Sequence, residues 1–214
     1  MARDRSRVES FSDGVFAVVL TVMAVELLQN GPARADGGRL SEALFQAWPT
    51  YLAYVITFVV SGQIWLAHHN MWRYVVRVDH TLLVFNLLLL LFVAAIPFTA
   101  DLLSDHLRGD VAEQRLTAAL YLGTLLGEAL FFNLSWWWAS SRRLLHEDLD
   151  PRLARTLARR MRLRPLLFVF AFAVVFVDPI LSLLLYLVIA GFFLAKDPGD
   201  DPRAATQPEK GSAA

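Results

Sequence analysis

The stretch R-V-E-S-F-S-D-G-V-F-A-V-V-L-T-V-M-A-V-E-L-L, Arg7 to Leu28, decides how the rest of the chain is read. It is long enough to cross a bilayer as a helix, yet it carries Asp13 barely a turn inside one end and Glu26 near the other. A carboxylate inside hydrocarbon costs several kcal/mol unless it is paired or wet, so both residues are functional candidates.

The rest of the chain supports a membrane setting. Of 214 residues, 56% are hydrophobic, with fifteen Phe and six Trp, and the mean hydropathy is +0.45. That is more apolar surface than a soluble domain of this size can bury. A formal net charge of zero offers no basic field for nucleic acid, and the absence of Cys excludes disulfides, thiolate metal sites and cysteine nucleophiles. Basic residues precede the first apolar run as they would in a signal peptide. No small-residue cleavage site follows Glu26, so the first span is expected to be retained.

Six segments are long and apolar enough to be read as crossings: 9–28, 45–70, 81–100, 117–139, 164–178 and 180–195. The last two are separated by Val177-Asp178-Pro179, where proline removes a donor and restricts its predecessor, so a tight helical hairpin is expected. The fold class is therefore all-α, a six-helix domain over 1–196 followed by a disordered tail over 197–214. With the N-terminus inside, sixteen of the twenty Lys and Arg fall on inner segments, so both termini are expected to be cytoplasmic. Residues 29–43 and 101–116 read as outer loops, the second of them acidic. The run 142–163 reads either as a basic amphipathic helix on the inner surface or simply as the inner positive charge.

Helical geometry sorts the first span. Val18, Val22 and Val25 share one stripe, with Thr21 at its edge and Gly14 and Phe11 continuing it inward. Asp13 projects from roughly the opposite side and must find partners on neighbouring helices. The second span ends in W-L-A-H-H-N-M-W-R, which puts Trp65, His68, His69 and Asn70 level with Ser12 and Asp13. A polar cluster of Arg7, Ser12, Asp13, His68 or His69, and His80 would satisfy these groups mutually. His68 and His69 point to different helix faces, so both cannot serve one site in the same way. Glu26 either snorkels to water or attracts cations at the outer mouth of a pore. Glu128 and Asn133 inside the fourth span have no partner legible in the sequence. Asp178 is placed to cap the sixth helix. Asp101, Asp105 and His106 read as a solvated cluster rather than a metal site.

The run R-x-x-x-F-S-D-G-V-F-A-V-V-L-T-V-M-A-V-E-L resembles the signature first helix of the transmembrane protein 175 family of potassium channels, and W-L-A-H-H at Trp65 to His69 is similar as well. The resemblance implies a passive channel with no T-V-G-Y-G filter and no cofactor, permeated by K+. A single six-span repeat implies a homotetramer among membrane lipids, in the plasma membrane of a prokaryote. It places the first helices around a central pore, with Val18, Val22 and Val25 as the constriction and Thr21 as the polar lining residue. Four valine rings would close a pore by dewetting, and Thr hydroxyls would offer oxygen to a partly dehydrated cation.

No G-x-S-x-G, H-E-x-x-H or phosphate-binding glycine loop occurs, so an enzyme is not expected. The competing reading is a proton leak or proton-coupled transporter, because an intramembrane Asp near His is also the pattern of a proton relay.

Overall fold

The computed structural model describes residues 2–30, 39–146 and 165–195. They form helices α1 (Ala2–Asn30), α2 (Leu40–Gln46), α3 (Trp48–Tyr74), α4 (His80–His106), α5 (Val111–Ser141) and α7 (Pro179–Ala195), with α6 (Pro165–Val174) between the last two. Among the described residues the fold is all-α; the one departure is an isolated antiparallel bridge between Val75 and Leu145.

Four helices are long and apolar enough to cross a membrane, and they fall within α1, α3, α4 and α5. Several boundaries differ from the sequence reading. The second expected span, 45–70, is divided at Ala47, and the part of 29–43 read as loop contributes α2. Proline at the start of α3 explains the division, since it fits only the first turn of a new helix. The acidic segment 101–116 is largely helical. α4 runs on through Asp101 to His106, and α5 begins at Val111 because Asp110 accepts the amides of Ala112 (2.8 Å) and Glu113 (2.9 Å). The expected fifth and sixth spans appear as shorter apolar helices. A turn at Val175–Asp178 separates them, as proline at 179 requires, and Asp178 accepts the amide of Leu181 at 2.8 Å. Ser182 ties the two together by donating to the carbonyl of Ala171 (2.6 Å). The basic run over 147–163 and the tail over 197–214 lie outside the described residues.

The core is built where α1, α3, α4 and α5 meet, around Phe16, Val60, Trp72, Leu89, Ile96 and Tyr121. α4 and α5 pack closely because Gly127 leaves room for the ring of Phe92, which stacks on Phe131 with centroids 5.8 Å apart. A Cβ at position 127 would overlap that ring. Gly127→Ala is expected to lower stability by about 1–3 kcal/mol, the usual range for overpacking. Thermal unfolding in detergent checks this, and Gly127→Ala combined with Phe92→Ala should cost less than the sum of the two single changes, because the clash is absent once the ring is gone.

One end of the bundle is laced together. Asp79 caps α4 by accepting the amide of Leu82 (2.8 Å) and also takes the indole N–H of Trp138 (2.9 and 3.1 Å to its two oxygens). The Arg142 guanidinium lies 4.6 Å over the same indole. The Leu144 carbonyl accepts the amides of Val76 and Arg77, and the amide of His146 reaches the carbonyl of Tyr74.

α5 ends with Arg143 in the left-handed region, φ 55°, while the Leu144 amide reaches back to the Ala139 carbonyl at 2.9 Å. This is the helix termination that glycine normally serves. Arg143→Gly is therefore expected to raise stability by about 0.5–1 kcal/mol, since the steric relief outweighs glycine's greater unfolded-state entropy. A modest rise in the unfolding temperature is the readout.

Candidate ion-path helix and its supporting network

α1 presents two stripes. Ser12, Phe16, Val19 and Met23 are buried and face α3 and α4. Their spacing of four, three and four residues is the helical repeat of a packed face. The opposite stripe is open: Val18 is 61% exposed, Val22 40% and Val25 45%. Phe11, Gly14 and Thr21 are exposed too. A face so apolar cannot be turned to water, so it meets lipid, another copy, or a dewetted path.

Along part of that face runs a groove of about 820 Å³ between α1 and α4. Phe11, Gly14, Val18 and Val22 line it from α1, and Pro97, Phe98 and Asp101 from α4. Thr21 donates its hydroxyl proton to its own helix, to the Ala17 carbonyl at 2.6 Å. Its oxygen lone pairs are left as acceptors, the form in which a hydroxyl offers a ligand to a cation.

Glu26 is half-buried at the far end of the groove, where Asp101 also lines the wall, and the two share a smaller crevice with Met23 and Tyr54. The sequence alone places Asp101 in a solvated loop. Continuation of α4 brings it instead to the same end of the groove as Glu26. Among the described residues no group of three or more potential ligands converges on a metal position.

At the other end of α1, adjacent residues bond to different helices. Asp13 Oδ1 accepts the indole N–H of Trp65 on α3 at 2.9 Å, and Trp65 stacks on His69. Ser12 Oγ accepts from the amide of Asn86 on α4 at 3.1 Å. The Asn86 amide also lies 2.8 Å from His68 Nε2, which lies 2.8 Å from the Trp72 indole nitrogen. A ring nitrogen has one lone pair or one proton to give. It accepts from Trp72 or, when protonated there, donates to Asn86 Oδ1, so the two bonds alternate.

The expected cluster is thus divided in two. Asp13, Trp65 and His69 form one part, exposed between α1 and α3. Ser12 and His68 form the other, buried, with Asn86 and Trp72, neither of which the sequence reading included. Arg7 and His80 are exposed and stand outside both parts. The signal that could have found Asn86 was its isolation in the run L-L-V-F-N-L-L-L-L-L-F, where a lone amide needs a partner. On α5, Asn133 bonds its own helix at the Ala129 carbonyl (2.7 Å), and Glu128 is buried.

Comparison with known proteins bears on this geometry. The family described as endosomal/lysosomal potassium channel TMEM175 matches residues 7–97, which take in α1 from Arg7 onward, α2, α3 and the first two-thirds of α4. A potassium channel of Streptomyces collinus is 40% identical over 162 residues, covering 75% of this chain and 75% of its own. A potassium channel of Chamaesiphon minutus is 33% identical over 191 residues, covering 89% and 93%. The human endosomal/lysosomal proton channel TMEM175 is 32% identical over 156 residues, which are 69% of this chain and 30% of the human protein. The crystal structure of a lysosomal potassium-selective channel TMEM175 homolog from Chamaesiphon minutus superposes with a TM-score of 0.80 at 30% identity, covering 90% of this chain and 97% of that one. Since the similarity extends over three-quarters or more of the length of these bacterial relatives and the fold superposes on that of a TMEM175 homolog, the chain is a multi-pass membrane protein that belongs to the TMEM175 family of channels.

Proposed function

We propose that the chain is one subunit of a potassium-permeable channel in which the open stripe of α1 borders the ion path. The observation that carries this reading is the apolar face of Val18, Val22 and Val25, exposed on a helix held from its other side by α3 and α4. The names of the bacterial relatives, both potassium channels, support K+ as the permeant ion. A single chain offers one wall only. Four copies in a homotetramer would bring four such stripes around one axis, with valine rings as a hydrophobic constriction and Thr21 as a polar lining residue. Glu26 and Asp101 would draw cations to one mouth by their combined field.

Six crossings with both termini on the inner side fit the charge distribution. The laced end carrying Arg77, Arg142 and Arg143 would then face the cytoplasm of a prokaryotic cell. A channel of this kind needs no reacting group and no resident cofactor. The proton reading draws on the name of the animal relatives. Its proposed relay through Asp13 and histidine is not favoured by the hydrogen bonds, because Asp13 is bonded to Trp65 and His68 Nε2 to Asn86 or Trp72, not to each other.

Purified protein in proteoliposomes under opposed K+ and H+ gradients tests the reading. Currents should reverse near the potassium equilibrium potential. Reversal that follows the proton gradient would replace K+ with H+ as the permeant ion.

A further inference from the structure

A second cavity, of about 320 Å³, lies among α3, α4, α5 and α7 and shares no lining residue with the α1–α4 groove. Its walls are apolar, formed by Leu52, Ile56, Leu103, Leu183 and Leu184. The hydroxyls at its edge are turned on one another. Thr57 and Tyr121 are bonded at 3.1 Å, and Ser104 donates to Thr50 at 3.4 Å. An occupant therefore meets hydrocarbon rather than donors waiting for a polar ligand.

Two features identify that occupant. Along α3 the cavity runs from Trp48 to Thr57, which is about 14 Å of helix, or close to half of the roughly 30 Å hydrocarbon thickness of a bilayer. It is as deep as one leaflet. At its mouth, the Arg108 guanidinium lies 5.6 Å over the Trp48 ring and donates to the Gln46 carbonyl at 2.9 Å. A guanidinium has five N–H groups in a fork suited to phosphate oxygens, so one such bond leaves most of them to offer. Arg108 and Trp48 are both exposed, as are Leu52 and Leu184, so the mouth is open along its length. Asp110, the carboxylate two residues from Arg108, is engaged in capping α5.

We propose that this cavity holds one acyl chain of an anionic phospholipid, with the lipid phosphate against Arg108. A zwitterionic lipid would fill the same space and present the same phosphate, but its own ammonium offsets the attraction to Arg108, so the headgroup with net negative charge is preferred. A single tail fits the depth better than a helix of another copy, which is about 10 Å wide.

Native mass spectrometry of the protein released from mixed phosphatidylglycerol and phosphatidylethanolamine membranes tests the proposal. Phosphatidylglycerol adducts should predominate. Arg108→Gln should reduce that preference about tenfold, the loss expected of one charge-assisted hydrogen bond. Leu183→Trp, which fills the cavity, should remove the adducts of both lipids. Equal retention of the two lipids by the unaltered protein, or adducts unchanged by Leu183→Trp, would overturn it. Should Leu183→Trp fail to fold, photo-crosslinking of the unaltered protein with phosphatidylglycerol bearing a diazirine in its acyl chain gives an independent readout. Label is expected on the peptides around Leu52–Ile56 and Leu183–Leu184. Label spread over all exposed apolar faces, or cross-links joining two copies through those peptides in place of lipid, would rule the site out.

Discussion

Shortening Val18 and Val22 to alanine together is expected to raise potassium flux about tenfold, the change that follows from lowering a barrier by about 1.4 kcal/mol. The reasoning is geometric. Both side chains line the α1–α4 groove from the exposed face of α1, and neither belongs to the face packed on α3 and α4. Their removal should therefore spare the subunit while taking two methyl groups per residue from each copy's contribution to a constriction. A hydrophobic gate conducts poorly because water and ion avoid a narrow apolar ring, so a wider and less apolar ring wets more readily. The opposite change, Val18→Phe, should suppress flux. The measurement is single-channel or flux recording from proteoliposomes, with size-exclusion chromatography showing that assembly persists. Unaltered conductance in an intact assembly would mean that these residues do not form the constriction.

A different outcome is expected from Asn86→Leu. The branched shape and heavy-atom count are conserved, yet the amide serves both Ser12 and His68; its loss leaves the buried Ser12 hydroxyl without its donor and holds His68 Nε2 to the single bond from Trp72. The cost is about 1–3 kcal/mol, because unsatisfied buried groups are expensive while interhelical bonds in membranes are individually modest. The effect on activity should exceed the effect on folding, since Ser12 is one of two adjacent anchors of the helix that borders the ion path. Unfolding temperature and conductance measured on the same preparation separate the two. A variant that loses stability but keeps its conductance and gating would make Asn86 a packing residue only.

Much of α1 was legible beforehand because a helix repeats every 3.6 residues. The stripe of Val18, Val22 and Val25 followed from position alone, and so did the opposite placement of Asp13. Level along the helices was legible as well, which brought Trp65 and His68 beside Ser12 and Asp13. What level cannot supply is direction around the neighbouring helices. His68 turned inward to Asn86 and Trp72 while His69 turned outward to Trp65, and only packing decides which of two consecutive residues is buried. Arg7 and His80 were grouped with the cluster by level, but their side chains are exposed. Asp101 was hidden for another reason. Acidic residues followed by Gly109 look like a loop, yet helix α4 continues while Ile96, Ala100 and Leu103 are buried on one face, and the carboxylate is carried along with it.

The two adjacent anchors at Ser12 and Asp13 give α1 the mechanics of a lever. Beyond them the helix is held to its neighbours by the apolar packing of Phe16, Val19 and Met23. A tilt of about 5° about Ser12 would shift Val18, about 9 Å along the axis, by about 0.8 Å, and Glu26, about 21 Å along it, by about 1.8 Å. Small rotations at the fulcrum are thus amplified with distance, so the carboxylate end of the helix would travel more than twice as far as the first valine.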